Sequence, residues 1–73
     1  MKIGVVKWFD VRKGYGFLVY DEDEEIFVHF TGIIQDGFKV LFEGQQVEFL
    51  IKEGARGLQA SQVTVIDETK SVD

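Results

Sequence analysis

The stretch Glu25-Ile26-Phe27-Val28-His29-Phe30 carries the cleanest two-residue alternation in the chain. That period belongs to a strand, whose successive side chains point to opposite faces. Ile26 and Val28 form the natural core face. Phe27 and His29 are then left outside, with no aliphatic partner on their side. Upstream, Lys13-Gly14-Tyr15-Gly16-Phe17-Leu18-Val19-Tyr20 has the same period, with Tyr15 and Phe17 on one face and Gly16 and Leu18 on the other. Joining Leu18 to Ile26 and Val28 puts Tyr15 and Phe17 on the same outer face as Phe27 and His29. Glycine in such a strand lets another backbone, or a ligand, approach closely.

The remaining segments also read as short strands. From Lys2 to Asp10 the residues are β-prone, but Val5 and Val6 break the alternation, which predicts a bulge or strong coil. The parity of Trp8 is therefore open. Val11, Arg12 and Lys13 make a short turn, and the five acids Asp21, Glu22, Asp23, Glu24 and Glu25 make the next loop. Residues 31–44 form a long connection. Ile34, Phe38, Leu41 and Phe42 sit there at helical spacing, but Gly37 interrupts them, so a turn of 3₁₀ helix followed by loop is expected. Gln45 to Glu53 alternates again, with Val47, Phe49 and Ile51 inward. Gly54-Ala55-Arg56-Gly57 reads as a hairpin loop, and Leu58 to Ile66 as the last strand, with Val63 and Val65 inward. Residues 67–73 are a polar tail. Phe9, Phe42 and Phe49 are core candidates.

Five strands with glycine-marked turns make this an all-β chain. With 73 residues it is one small domain. A small sheet with one face to bury is best closed into a barrel, which removes exposed edges.

The net charge of −5 argues at first against a polyanion partner. Its distribution weakens that objection. Residues 1–20 carry Lys2, Lys7, Arg12 and Lys13 against Asp10 alone, so the segment holding the aromatics is basic. No apolar run approaches the length of a membrane span, and the N-terminus has no signal-peptide core. Cysteine is absent, which suits a cytoplasmic protein.

The outer face thus carries Tyr15, Phe17, Phe27 and His29, with Trp8, Phe30 and Phe38 as neighbours and Lys7, Lys13 and Arg56 as rim cations. A lone Phe in a small barrel more often fills the core. For Phe17 and Phe27 together, parity opposite to Leu18, Ile26 and Val28 reverses that expectation. Flat rings suit unpaired nucleobases, since every base has a π-face. Lys and Arg beside them hold phosphates. His29, the single histidine, has neither the cysteines nor the spaced carboxylates of a zinc site. It also lacks the nucleophile or oriented partner of a catalytic base. The acidic run lacks the glycine and ligand spacing of a calcium loop. No enzyme, metal or cofactor signature emerges.

Lys13-Gly14-Tyr15-Gly16-Phe17 resembles the first ribonucleoprotein motif, which also occurs in RRM domains. Order discriminates: in an RRM the second motif comes earlier and two amphipathic helices are needed, whereas here Ile26-Phe27-Val28-His29-Phe30 follows and helices are missing. Together with Gly4-Val5-Val6-Lys7-Trp8-Phe9, Gly37-Phe38-Lys39, Glu43-Gly44-Gln45 and Glu53-Gly54-Ala55-Arg56-Gly57-Leu58-Gln59-Ala60, the pattern over residues 1–66 is similar to the bacterial cold-shock proteins.

The resemblance implies a five-stranded antiparallel barrel of the OB-fold type. It implies binding of single-stranded RNA and DNA with low sequence specificity, melting of weak RNA structure, and a role as RNA chaperone or regulator of transcription or translation. It also implies stacking roles for Trp8, Tyr15, Phe17, Phe27, His29, Phe30 and Phe38, which turns Trp8 towards the surface. Lys7, Lys13 and Arg56 would line the strand's path, and Gln59 and Asp10 would contact base edges. Asp10 stands where the family commonly has Asn, and Leu58 where it has Pro. A monomer is expected, although the long connection would permit a domain-swapped dimer. The alternative is a protein-interaction module that uses the same aromatic surface as a hot spot. Sugar stacking is a third option, disfavoured by the basic rim.

Overall fold

Strand β1 (Lys2–Asp10) is followed by β2 (Tyr15–Tyr20) and β3 (Glu24–His29), then a 3₁₀ turn (Phe30–Gly32), then β4 (Gln46–Gly54) and β5 (Gly57–Val65). This is a computed structural model, and it describes residues 1–37, 39–55 and 57–66. The strands close into a barrel in the order β1-β2-β3-β5-β4. Four junctions are antiparallel. The closing one, β3 against β5, is parallel and short, through Phe27 opposite Gln59 and Val28 opposite Ala60. The expected 3₁₀ turn is present, but at the start of the long connection, ahead of the helically spaced Ile34, Leu41 and Phe42.

Inward parity fills the barrel. Leu18, Ile26 and Val28 are buried together, joined by Val6, Val47, Phe49, Ala60 and Val63, while Ile33 and Leu41 enter from the connection. Each of these side chains larger than alanine contributes roughly 1.5–3 kcal/mol by leaving water. Ile51 and Val65 pack half-buried against this cluster, as their alternation predicts.

Two bulges reset the parity. Val6 faces Leu18 and Phe9 faces Gly16, so β1 needs both residues inward although they lie three apart. The register slips between Val6 and Trp8, leaving Lys7 as the extra residue and turning Trp8 outward opposite Phe17. A single inserted residue lets a strand change which parity it buries. The bulge predicted at Val5-Val6 therefore sits one residue later. In β5, Ala60 and Val63 are both buried, and the β4–β5 register slips between Glu48 and Leu50. Gln62 is the extra residue there, at φ 51°.

Gly16 permits the first bulge. A Cβ on it would lie 2.7 Å from the Phe9 Cα and would collide with the Trp8 carbonyl oxygen. Two backbones meet at that point, so no side-chain motion could relieve a substituent.

Two expectations need correction. Phe42 does not join the core; it is 63% exposed. Leu41 takes the inward place, and the chain then reverses. The Gln45 N–H donates to the Phe42 carbonyl at 3.1 Å, and the Phe42 N–H donates to Gln45 Oε1 at 2.9 Å. That turn leaves the Phe42 ring in solvent. The acidic run is not all loop either: Asp21, Glu22 and Asp23 form the turn, while Glu24 and Glu25 already belong to β3. Gly54 pairs with Gly57 across the expected hairpin. Phe38, Arg56 and the tail 67–73 lie outside the described residues.

Candidate nucleic-acid interface

The outward side chains of β1, β2 and β3 fall into cross-strand rows. Trp8 is opposite Phe17, Phe17 opposite Phe27, and Phe27 opposite Gln59 of β5. In the next row Asp10 is opposite Tyr15, and Tyr15 opposite His29. Directly opposed residues have their Cβ atoms about 4.5–5.5 Å apart, and diagonal neighbours stay within reach of aromatic side chains, so rings on this face must touch within or between rows.

They do. Ring centroids lie 5.5 Å apart for Trp8 and Phe17, 5.9 Å for Phe17 and Phe27, 5.6 Å for Tyr15 and Phe27, and 6.0 Å for Trp8 and Tyr15. These four close a quadrilateral. His29 continues it at 6.4 Å from Phe27, and Phe30 follows at 4.7 Å from His29. Six of the seven stacking candidates thus form one unbroken strip. Trp8 is 38% exposed and Phe30 43% exposed, while Tyr15, Phe17, Phe27 and His29 are half-buried.

Local hydrogen bonds hold the far end of the strip. His29 caps the 3₁₀ turn: its Nδ1 accepts from the Thr31 N–H at 3.3 Å and lies 2.9 Å from Thr31 Oγ1. An accepting Nδ1 assigns the neutral ring's proton to Nε2, which leaves that N–H as a donor. Phe30 is seated on Gly14. Its backbone N–H donates to the Gly14 carbonyl at 2.8 Å, and a Cβ on Gly14 would lie 2.7 Å from the ring.

The polar candidates differ in their freedom. Lys7 Nζ is 2.7 Å from Glu25 Oε2, so this cation is already paired. Asp10 Oδ1 accepts from the backbone N–H groups of Arg12 at 2.9 Å and Lys13 at 3.0 Å, and so shapes the β1–β2 turn. The Lys13 side chain is exposed and lines a cleft with Arg12, Gly14, Phe30 and Lys39. Gln59 lines another with Tyr15, Phe27, His29 and Thr31.

Residues 2–66 match the family model described as the 'Cold-shock' DNA-binding domain. The chain belongs to the cold-shock domain family. It is 55% identical over 64 residues to a cold shock-like protein of Thermotoga maritima, covering 88% of this chain and 97% of that one. It is 57% identical over 60 residues to the cold shock-like protein CspC of Bacillus cereus, covering 82% and 92%. Cold shock protein CspA of Staphylococcus haemolyticus is 54% identical over 63 residues, covering 86% and 96%. Among solved structures, drosophila Unr CSD456 superposes with a TM-score of 0.74 at 21% identity, covering 97% of this chain and 29% of that longer one. That likeness concerns the fold alone. Cold-shock domains form a non-enzymatic, nucleic-acid-binding family.

Within this cold-shock domain the structure adds residues that the sequence reading did not assign to the site. Leu58, 59% exposed, stands beside Tyr15, Phe17 and Phe27 and walls one edge of the strip. Glu25 lines the same edge and holds Lys7. Arg12 and Lys39 join Lys13 around Phe30. Their sequence signal is adjacency: Arg12 precedes Lys13, and Lys39 follows Phe38. Leu58 has the same signal, since it precedes Gln59, and it reaches the strip through the parallel β3–β5 closure.

Proposed function

We propose that this chain binds single-stranded RNA and DNA by stacking unpaired bases along the strip Trp8–Tyr15–Phe17–Phe27–His29–Phe30. The binding unit is residues 1–66. The single observation that carries the reading is the unbroken ring-to-ring contact of six side chains held outward by cross-strand register. A duplex keeps its base faces stacked inside, so such a strip selects unpaired strands. Stacking is worth about 1–3 kcal/mol per base and tolerates any base, which supports low sequence specificity. Lys13 and Arg12 at the Phe30 end supply phosphate contacts, with Arg56 as a further contact by resemblance. Phe38 joins the stack by the same resemblance.

A protein that holds bases unpaired shifts weak hairpins towards the open strand, because it binds the open form alone. The chain acts in this way as an RNA chaperone in the cytoplasm, as a monomer that needs no cofactor, and regulates transcripts by exposing or covering them. Trp8 reports the event directly. Titration with oligo-dT should quench its fluorescence, matched single-stranded RNA should do the same, and duplex should not. Absence of quenching and of any mobility shift at low salt would sink the proposal.

A further inference from the structure

The row Asp10–Tyr15–His29 ends on a carboxylate whose two oxygens are not equivalent. Oδ1 accepts two backbone N–H groups of the turn, from Arg12 and Lys13, which fixes the carboxylate's position. Among the described residues Oδ2 has no donor. Asp10 is the register partner of Tyr15 and, beyond the bulge, shares the outward parity of Trp8. A base laid on the Tyr15 ring carries its exocyclic groups beyond that ring's outline, so its edge extends towards the neighbouring side chain. An ionised carboxylate can only accept hydrogen bonds. It therefore attracts a base edge that donates and repels one that presents a carbonyl.

Resting on the single-strand reading above, the geometry points to Asp10 as a specificity-determining residue: at the Tyr15 step it favours a base bearing an exocyclic amino group, cytosine or adenine, over thymine or uracil. Cytosine carries an N4 amino group where thymine carries the O4 carbonyl, and adenine's N6 amino group is its counterpart among purines. An amide at this position loses this preference: with its oxygen held by the two turn N–H groups, it presents an NH2 donor, which suits a carbonyl rather than an amino group. Stacking sets the affinity of the strip, and Oδ2 gives one step of it a preference.

The test compares oligo-dT with an oligonucleotide of 5-methyl-deoxycytidine of equal length. The two differ at the pyrimidine 4-position and its adjoining ring nitrogen, and share the methyl group. Asp10→Asn keeps an oxygen for the turn and removes the charge, so it should fold as the parent does, with its melting temperature as the check. Loss of the negative charge tightens both ligands alike and cancels in their affinity ratio. That ratio, 5-methyl-deoxycytidine over thymidine, should fall about fivefold from the parent to Asp10→Asn, the lower end of what a base-edge contact is worth, because one oxygen is offered. An unchanged ratio with both oligonucleotides still bound overturns the role of Asp10 and leaves the single-strand reading standing. Failure to bind either one overturns both. Should Asp10→Asn not fold, the parent decides: single 5-methyl-deoxycytidine replacements walked along oligo-dT must tighten binding at one position, and no tightening anywhere overturns the inference.

Discussion

Lys7 Nζ and Glu25 Oε2 stand 2.7 Å apart across the outer face of β2, at the edge of the aromatic strip. Both side chains are about half exposed, 48% and 47%, so the pair contributes about 0.2–1 kcal/mol in water. Its larger consequence is competition, since a phosphate that takes Lys7 must displace Glu25. Glu25→Gln should tighten oligo-dT binding by up to about fivefold at low salt and steepen the dependence of log K on log salt by about 0.7, one further phosphate contact. In a Lys7→Gln background the same change should alter neither beyond a general charge effect. Glu22→Gln, on the exposed turn, calibrates that effect.

Phe17 and Phe27 separate platform from core. Each should lose about 1–3 kcal/mol of binding when replaced by alanine. Both touch neighbouring rings on a half-exposed face, so a stability loss of about 1 kcal/mol in all accompanies it, or about 4–8 °C of melting temperature in a domain of this size. Phe49, fully buried, should cost about 3–5 kcal/mol, enough to unfold a marginal domain. Calorimetry and fluorescence titration of the three variants check the ordering. Equal stability losses in all three would return Phe17 and Phe27 to the core.

Gly16→Ala should destabilise the domain by about 3 kcal/mol, the upper end for overpacking. Its Cβ meets backbone, the Phe9 Cα and the Trp8 carbonyl, and no rotamer can move these aside. The damage falls on the bulge that turns Trp8 outward, so an altered Trp8 emission maximum should accompany the lowered melting temperature.

Legibility followed regularity of the backbone. Leu18, Ile26 and Val28 against Phe17 and Phe27 could be read because β2 and β3 keep strict alternation, and the register bears this out. Trp8 could not be oriented by parity, because Lys7 bulges and the odd–even rule changes hand there. Gln62 does the same in β5, which hid Ala60 from the core list. Phe42 misled because helical spacing in a segment that is mostly loop carries no facing information. The Lys7–Glu25 pair bridges strands that are not neighbours, with β2 between them, a meeting that no local pattern encodes. Arg12 and Lys39 meet at Phe30 through the folding of a turn against a long connection.

That last cluster sets the electrostatics of binding. Among the described residues the strip has a paired cation, Lys7, at one edge and Arg12, Lys13 and Lys39 around Phe30 at the other. Lys39 Nζ already donates to the Gln35 carbonyl at 3.0 Å, which leaves Arg12 and Lys13 as the freer pair. If three or four phosphates are neutralised, log K for oligo-dT should fall against log salt with a slope of roughly −2 to −3, since each phosphate on a single strand contributes about −0.7. The double variant Arg12→Gln/Lys13→Gln should flatten that slope by about 1.4 and leave the melting temperature unchanged. Both side chains are exposed, and the turn's hydrogen bonds to Asp10 come from backbone N–H groups that glutamine retains. Isothermal titration at three or more salt concentrations measures the slope. A slope that does not change would mean that the strand's phosphates bypass the Phe30 end.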